Sequence, residues 1–167
     1  MGDGALHRVE AEPLTAAAWA PFGWLPVDDT DGTDGSQSLH FDWGDPHVNV
    51  IAHDADDVTR LGDVLYCDGL YRHSTHTQAL LVLDARAVVA VAAPGVSFTG
   101  PDDAGRIRAF ALRPFDAVVL HRGTWHWGPF PVDGPRVRLY NVQGLRYRED
   151  NERADLAAVG AAVGIAV

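Results

Sequence analysis

The chain has 167 residues, 47% of them apolar, which is enough for one domain with its own hydrophobic core. Its formal charge of −10 argues against nucleic acid as a partner, and all 13 basic residues are arginine, so no lysine is available as a Schiff-base former, general base or phosphate clamp. No apolar run is long enough to span a bilayer, and Met1-Gly2-Asp3-Gly4 lacks the basic start of a secretory signal, so a cytoplasmic protein with no membrane partner is expected.

In chain order, residues 7–18 carry a helical signal in which Thr15 caps a turn over Ala16-Ala17-Ala18-Trp19, ended by Pro21-Phe22-Gly23. Residues 28–46 hold six aspartates among glycines and serines and read as an exposed loop. Residues 47–52, 64–66, 79–83, 88–92, 107–112, 117–120 and 137–142 are short apolar runs punctuated by Gly, Pro and Asp, the pattern of strands in a sandwich or barrel. Cys67, the sole cysteine, excludes an intrachain disulfide and a cysteine-based zinc finger. With no basic residue immediately beside it, it reads as a half-buried strand residue and not as a nucleophile. Asn151 followed by Glu152 opens a C-terminal helix through residue 159, and the small apolar tail 160–167 is expected to pack on the domain or on a second subunit. With no repeat and no linker, residues 1–167 form a single domain.

Four of the eight histidines fall in two short segments, Tyr71-Arg72-His73-Ser74-Thr75-His76-Thr77-Gln78 and His121-Arg122-Gly123-Thr124-Trp125-His126-Trp127. Each adjoins a predicted strand, and histidines arriving at one point from two strands are what a metal site or an acid–base site requires. The second segment resembles the second motif of the cupins, in which a turn glycine (Gly123) throws a histidine (His126) into a barrel. The first resembles the first cupin motif when aligned on the strand that begins at Ala79, which places Gln78 where that motif has a glutamate, His73 at its second histidine and Tyr71 at its first. The expected fold is therefore all-β, a cupin-type barrel or jelly roll with a short N-terminal helix and a C-terminal helix.

A closer resemblance runs through most of the chain. Trp19-Ala20-Pro21-Phe22-Gly23, Arg72-His73 with Thr77-Gln78-Ala79, the 88–93 run followed by Pro94, Arg108-Ala109-Phe110, and His121-Arg122-Gly123-Thr124-Trp125-His126 are each similar to elements of the ureidoglycolate lyase (ureidoglycolate hydrolase) family of small cupins. The resemblance implies cleavage of ureidoglycolate to glyoxylate and urea, in purine and allantoin breakdown. It implies a small carboxylate substrate, His73, Gln78 and His126 as catalytic residues, and Tyr71, Arg72, His121, Trp125 and Trp127 as substrate-binding residues, with Arg72 or Arg122 neutralising the carboxylate. One divalent ion on His73, His126, Gln78 and His76 is one expectation, and a metal-free pocket the other. Pairing of cupins of this family through sheet edges implies a homodimer. The chain departs from the family's pattern at Tyr71, at Ser74-Thr75-His76, at Trp127 and through residues 140–148. Two further readings keep the fold: a diverged isomerase, cyclase or hydrolase, and a non-catalytic small-molecule-binding module.

Overall fold

The computed structural model describes residues 6–28 and 37–167; the predicted acidic loop falls partly outside them. In chain order come β1 (His7–Pro13), α1 (Ala16–Trp19), β2 (Gly23–Trp24), β3 (Pro46–Asp54), β4 (Arg60–Leu61), β5 (Val64–Cys67), β6 (Gly69–Arg72), β7 (Gln78–Val82), β8 (Ala87–Ala92), β9 (Arg108–Leu112), β10 (Ala117–Leu120), β11 (Trp125–Pro131), β12 (Arg136–Gly144), β13 (Glu152–Asp155) and β14 (Val163–Ala166). They form a five-stranded sheet, β2-β10-β7-β12-β3, and a nine-stranded sheet, β13-β6-β11-β8-β9-β1-β14-β5-β4. The predicted all-β architecture holds, and no described helix is long and apolar enough to cross a membrane.

Two apolar clusters explain why the larger sheet is buried on both faces. Leu80, Val82, Val118, Leu120, Val137 and Leu139 of the small sheet meet Val89, Val91, Phe110 and Leu112 of the large one, with Trp19 and Phe22 closing the end. The opposite face of the large sheet curls around a second cluster built from Val88, Ala90, Leu65, Leu70, Trp125, Trp127, Val163 and Ile165. Strand β8 lies between the two, which is why all six of its residues are buried and its sequence is a continuous apolar run without alternation.

Two expectations are corrected. The helical signal over 7–18 is correct only for its second half: Thr15 caps α1 through a bond from the Ala18 N–H, while residues 7–13 are β1. Val9 and Ala11 alternate there with Arg8, Glu10 and Glu12, and period-two alternation overrides the helical propensity of Ala and Glu. The C-terminal helix is absent. Residues 152–155 are strand β13 beside β6, a single 3-10 turn spans Ala157–Val159, and β14 inserts between β1 and β5. A small apolar segment gains more by filling that slot than an isolated helix of this length would from its own hydrogen bonds.

Candidate functional site

The inward face of the small sheet changes character along its strands. On β7, Val82 and Leu80 give way to Gln78, and on β12, Val137 and Leu139 give way to Asn141 and Gln143. All three amides are buried, Asn141 completely. Buried amides must be paired, and these pair across strands: Gln78 Nε2 donates to Asn141 Oδ1 (2.8 Å) and Gln143 Oε1 (3.2 Å), and Asn141 Nδ2 donates to Asn49 Oδ1 of β3 (2.7 Å). Gln78 Oε1 is buried and has no protein partner.

The two histidine segments close over this polar end. Register pairing sets Tyr71 opposite His126, and Gly123 N–H donates to the His73 carbonyl (2.7 Å). Gly123 sits at φ +78°, so the turn needs a residue without a side chain there. The rings of His73 and His126 come to 5.4 Å between centroids, and those of His73 and His76 stack at 4.7 Å. His76 lies flat against Phe41 on its outer side and against Gly144, where an added Cβ would fall 2.8 Å from Nδ1. His73, His76, Gln78, His121, Thr124 and His126 line the resulting cleft with Leu120, a narrow opening of about 150 Å3 with its open mouth included.

Hydrogen bonds orient the rings. His73 Nδ1 lies 2.6 Å from the Asp150 carbonyl and His126 Nδ1 lies 3.1 Å from the Thr124 carbonyl. A carbonyl only accepts, so each Nδ1 carries the proton and each Nε2 presents a lone pair. Asp150 also accepts at its carboxylate from Ser74 N–H (3.0 Å), Thr75 N–H (2.7 Å) and Thr75 Oγ1–H (2.6 Å), pinning the loop between His73 and His76. Burial alone would raise the Asp150 carboxyl, but these bonds outweigh it and hold it below its ordinary value.

All four cleft histidines are held towards the neutral form. Burial, with repulsion from a charged His73, pushes His76 down to about 4 and His126 to about 3. Burial also lowers His73, against the pull of Asp150, and lowers His121. At neutral pH the cleft therefore offers imidazole lone pairs and no fixed positive charge.

Four predicted substrate-binding residues do not line the cleft. Trp125 and Trp127 alternate with His126 along β11 and point into the second core, Trp125 donating Nε1–H to the Val96 carbonyl (2.9 Å) and Trp127 packing on Phe130 (4.5 Å). Arg72 stacks on Trp125 (4.3 Å) and pairs with Glu152 (2.7 Å). Tyr71 is exposed beside the Arg153 guanidinium. Arg122, the alternative anchor, is paired with Asp42 at 2.6 Å. His73, His76, Gln78, His121 and His126 lie along one cleft. A metal would draw on those histidines and Gln78 Oε1, yet among the described residues no group of three His, Cys, Asp or Glu side chains converges as an ion needs.

Asp150, Asn141 and Gln143 escaped the sequence reading. A signal for the two amides exists: Val137, Leu139, Asn141 and Gln143 occupy alternate positions, so the buried row of one strand turns polar half-way.

The sequence profile of the ureidoglycolate lyase family matches residues 40–161, a span that holds every cleft residue and Asp150. The chain belongs to the ureidoglycolate lyase family. A ureidoglycolate lyase of Burkholderia mallei (strain NCTC 10229) is 31% identical over 137 residues, covering 72% of this chain and 74% of the relative. Another, of Pseudomonas fluorescens (strain Pf0-1), is 31% identical over 136 residues, covering 72% and 75%. Family membership accords with the motif resemblance, and of the positions where this chain departs from the family's pattern, only His76 is among those lining the cleft.

Proposed function

We propose that this family member is a lyase that cleaves ureidoglycolate to glyoxylate and urea. The observation that carries the reading is the facing of two neutral imidazoles, His73 and His126, each tied at Nδ1 to a carbonyl and each presenting Nε2 at one small cleft. The relatives named ureidoglycolate lyase support it.

The reaction needs a proton moved twice. One Nε2 takes the proton from the substrate hydroxyl as the carbon–nitrogen bond breaks and the carbonyl of glyoxylate forms. The resulting imidazolium returns that proton to the departing urea nitrogen, so no net proton is gained or lost. A neutral imidazole has a lone pair free to take that proton at neutral pH, and the imidazolium so formed is an acid able to give it back. Burial in the cleft limits water around the developing charges.

The test is release of glyoxylate from ureidoglycolate by purified protein, with and without an added divalent ion. His73→Ala and His126→Ala are each expected to lower kcat on the order of 100- to 10,000-fold. Unchanged turnover in both variants would remove the site assignment, and no glyoxylate under any condition would remove the reaction.

A further inference from the structure

We propose that Gln78 recognises the ureido group of the substrate, accepting a hydrogen bond from a ureido N–H at its side-chain carbonyl, and that Asn141 is the positioning residue that sets this polarity. The inference rests on the lyase reading above and names how the same cleft selects its ligand.

A side-chain amide has a donor end and an acceptor end, and what it recognises depends on which end faces the ligand. Gln78 Nε2 uses both of its hydrogens within the protein, on Asn141 Oδ1 and Gln143 Oε1. Asn141 in turn donates from Nδ2 to Asn49 Oδ1, so the amides of Gln78, Asn141 and Asn49 all point the same way along the chain of bonds. Reversing the Gln78 amide would set its carbonyl against two other amide oxygens. The network therefore leaves Gln78 Oε1 as the group turned to the cleft, buried and without a protein partner. His76 Nε2 is a second buried atom in the same cleft with no partner. The Thr75 hydroxyl gives its hydrogen to Asp150, so towards His76 Nδ1 at 3.4 Å it accepts, which leaves Nε2 as another acceptor.

Two unpaired acceptors call for a ligand part rich in hydrogens on nitrogen. A carboxylate has none to give and is repelled by both atoms, and a hydroxyl supplies one hydrogen. A ureido group carries several N–H hydrogens on adjoining nitrogens and can satisfy both acceptors together. Buried acceptors discriminate strongly, because a ligand without the hydrogen leaves them unpaired.

Two probes separate the possibilities. Urea has N–H donors and no hydroxyl or carboxylate; glycolate has the hydroxyl and carboxylate and no N–H. Binding of each is followed by NMR titration, which needs no turnover, with thermal unfolding as a check that each variant folds. Gln78→Leu is expected to weaken urea about tenfold and glycolate less than about twofold, the scale of one lost neutral hydrogen bond. Asn141→Leu should reproduce that pattern without touching the ligand. Asn141→Asp, whose side chain still accepts from Gln78, should return urea binding to within about threefold of the unaltered protein. No urea binding by the unaltered protein, equal weakening of urea and glycolate, or failure of Asn141→Asp to recover what Asn141→Leu loses would each overturn the proposal. If the urea-selective pattern holds while ureidoglycolate is not cleaved, the lyase reading falls and the recognition stands. If cleavage occurs without the pattern, the recognition alone falls.

Discussion

Asp150 holds the histidine loop with its backbone and its side chain at once, its carbonyl accepting from His73 and its carboxylate from Ser74 and Thr75. Substitution by Ala keeps the carbonyl and removes the carboxylate. Asp150→Ala is accordingly expected to leave His73 bonded, release the loop that carries His76, and lower kcat/KM on the order of 10- to 100-fold with little change in melting temperature. Steady-state kinetics beside a thermal scan checks this, and a loss of stability without a loss of turnover would contradict it. Nothing local in the sequence marks Asp150, since it lies in a run of charged residues and acts on a loop some 75 positions earlier. His73 and His126 were legible because a turn glycine and an adjoining apolar run accompany them. Trp125 and Trp127 misled because aromatic residues beside a histidine look like a pocket rim, whereas strand alternation sends them to the other face. Cys67 is more deeply placed than the sequence suggested: it is fully buried, and burial pushes its thiol well above the ordinary range, which removes it as a nucleophile.

Among the elements, strands that are continuous apolar runs could be read directly, and those that break a compositional rule could not. Strand β11 holds Gly128, Pro129 and Pro131, and tolerates them because its register with β8 shifts between Trp127 and Phe130. Strand β13 is charged and short, so only its pairing with β6 identifies it. Strand β14 is small and glycine-containing, and its setting between β1 and β5 makes it part of the second core, with Val163 and Ile165 fully buried. Those two side chains alone contribute about 3–6 kcal/mol by burial, a large share of the 5–15 kcal/mol typical of a whole domain. Deleting residues 161–167 is thus expected to unfold the protein and not merely trim a tail. Circular dichroism and gel filtration decide it, and a folded, monodisperse truncated chain would show that β14 is dispensable.

Across the whole molecule, the cleft histidines tie stability to pH. An unfolded histidine protonates near its ordinary 6.5, while folded His76 and His126 stay neutral down to about 4 and about 3. The unfolded state therefore binds more protons in this window, so stability is complete above about pH 6.5 and is lost as the pH falls toward the folded values. At about pH 5 each of these two groups costs at most about 2 kcal/mol. The guanidinium chloride midpoint should be lower at about pH 5 than at neutral pH, with an unchanged slope. A flat profile, or NMR titration of the His126 ring near 6.5, would contradict the burial argument.

The parallel pairing of β1 with β14 also sets a schedule. Val9 and Ile165 are neighbours in the sheet although they lie near opposite ends of the sequence. At about 5–20 residues per second of synthesis, β1 leaves the ribosome roughly ten to thirty seconds before its partner exists. Through that interval one edge of β1 and one edge of β5 stand open, both bordering the apolar surface that β14 later covers. The nascent chain therefore spends most of its production as an unfinished sheet with two sticky margins, a state that invites chaperone capture and is relieved only when the last residues arrive.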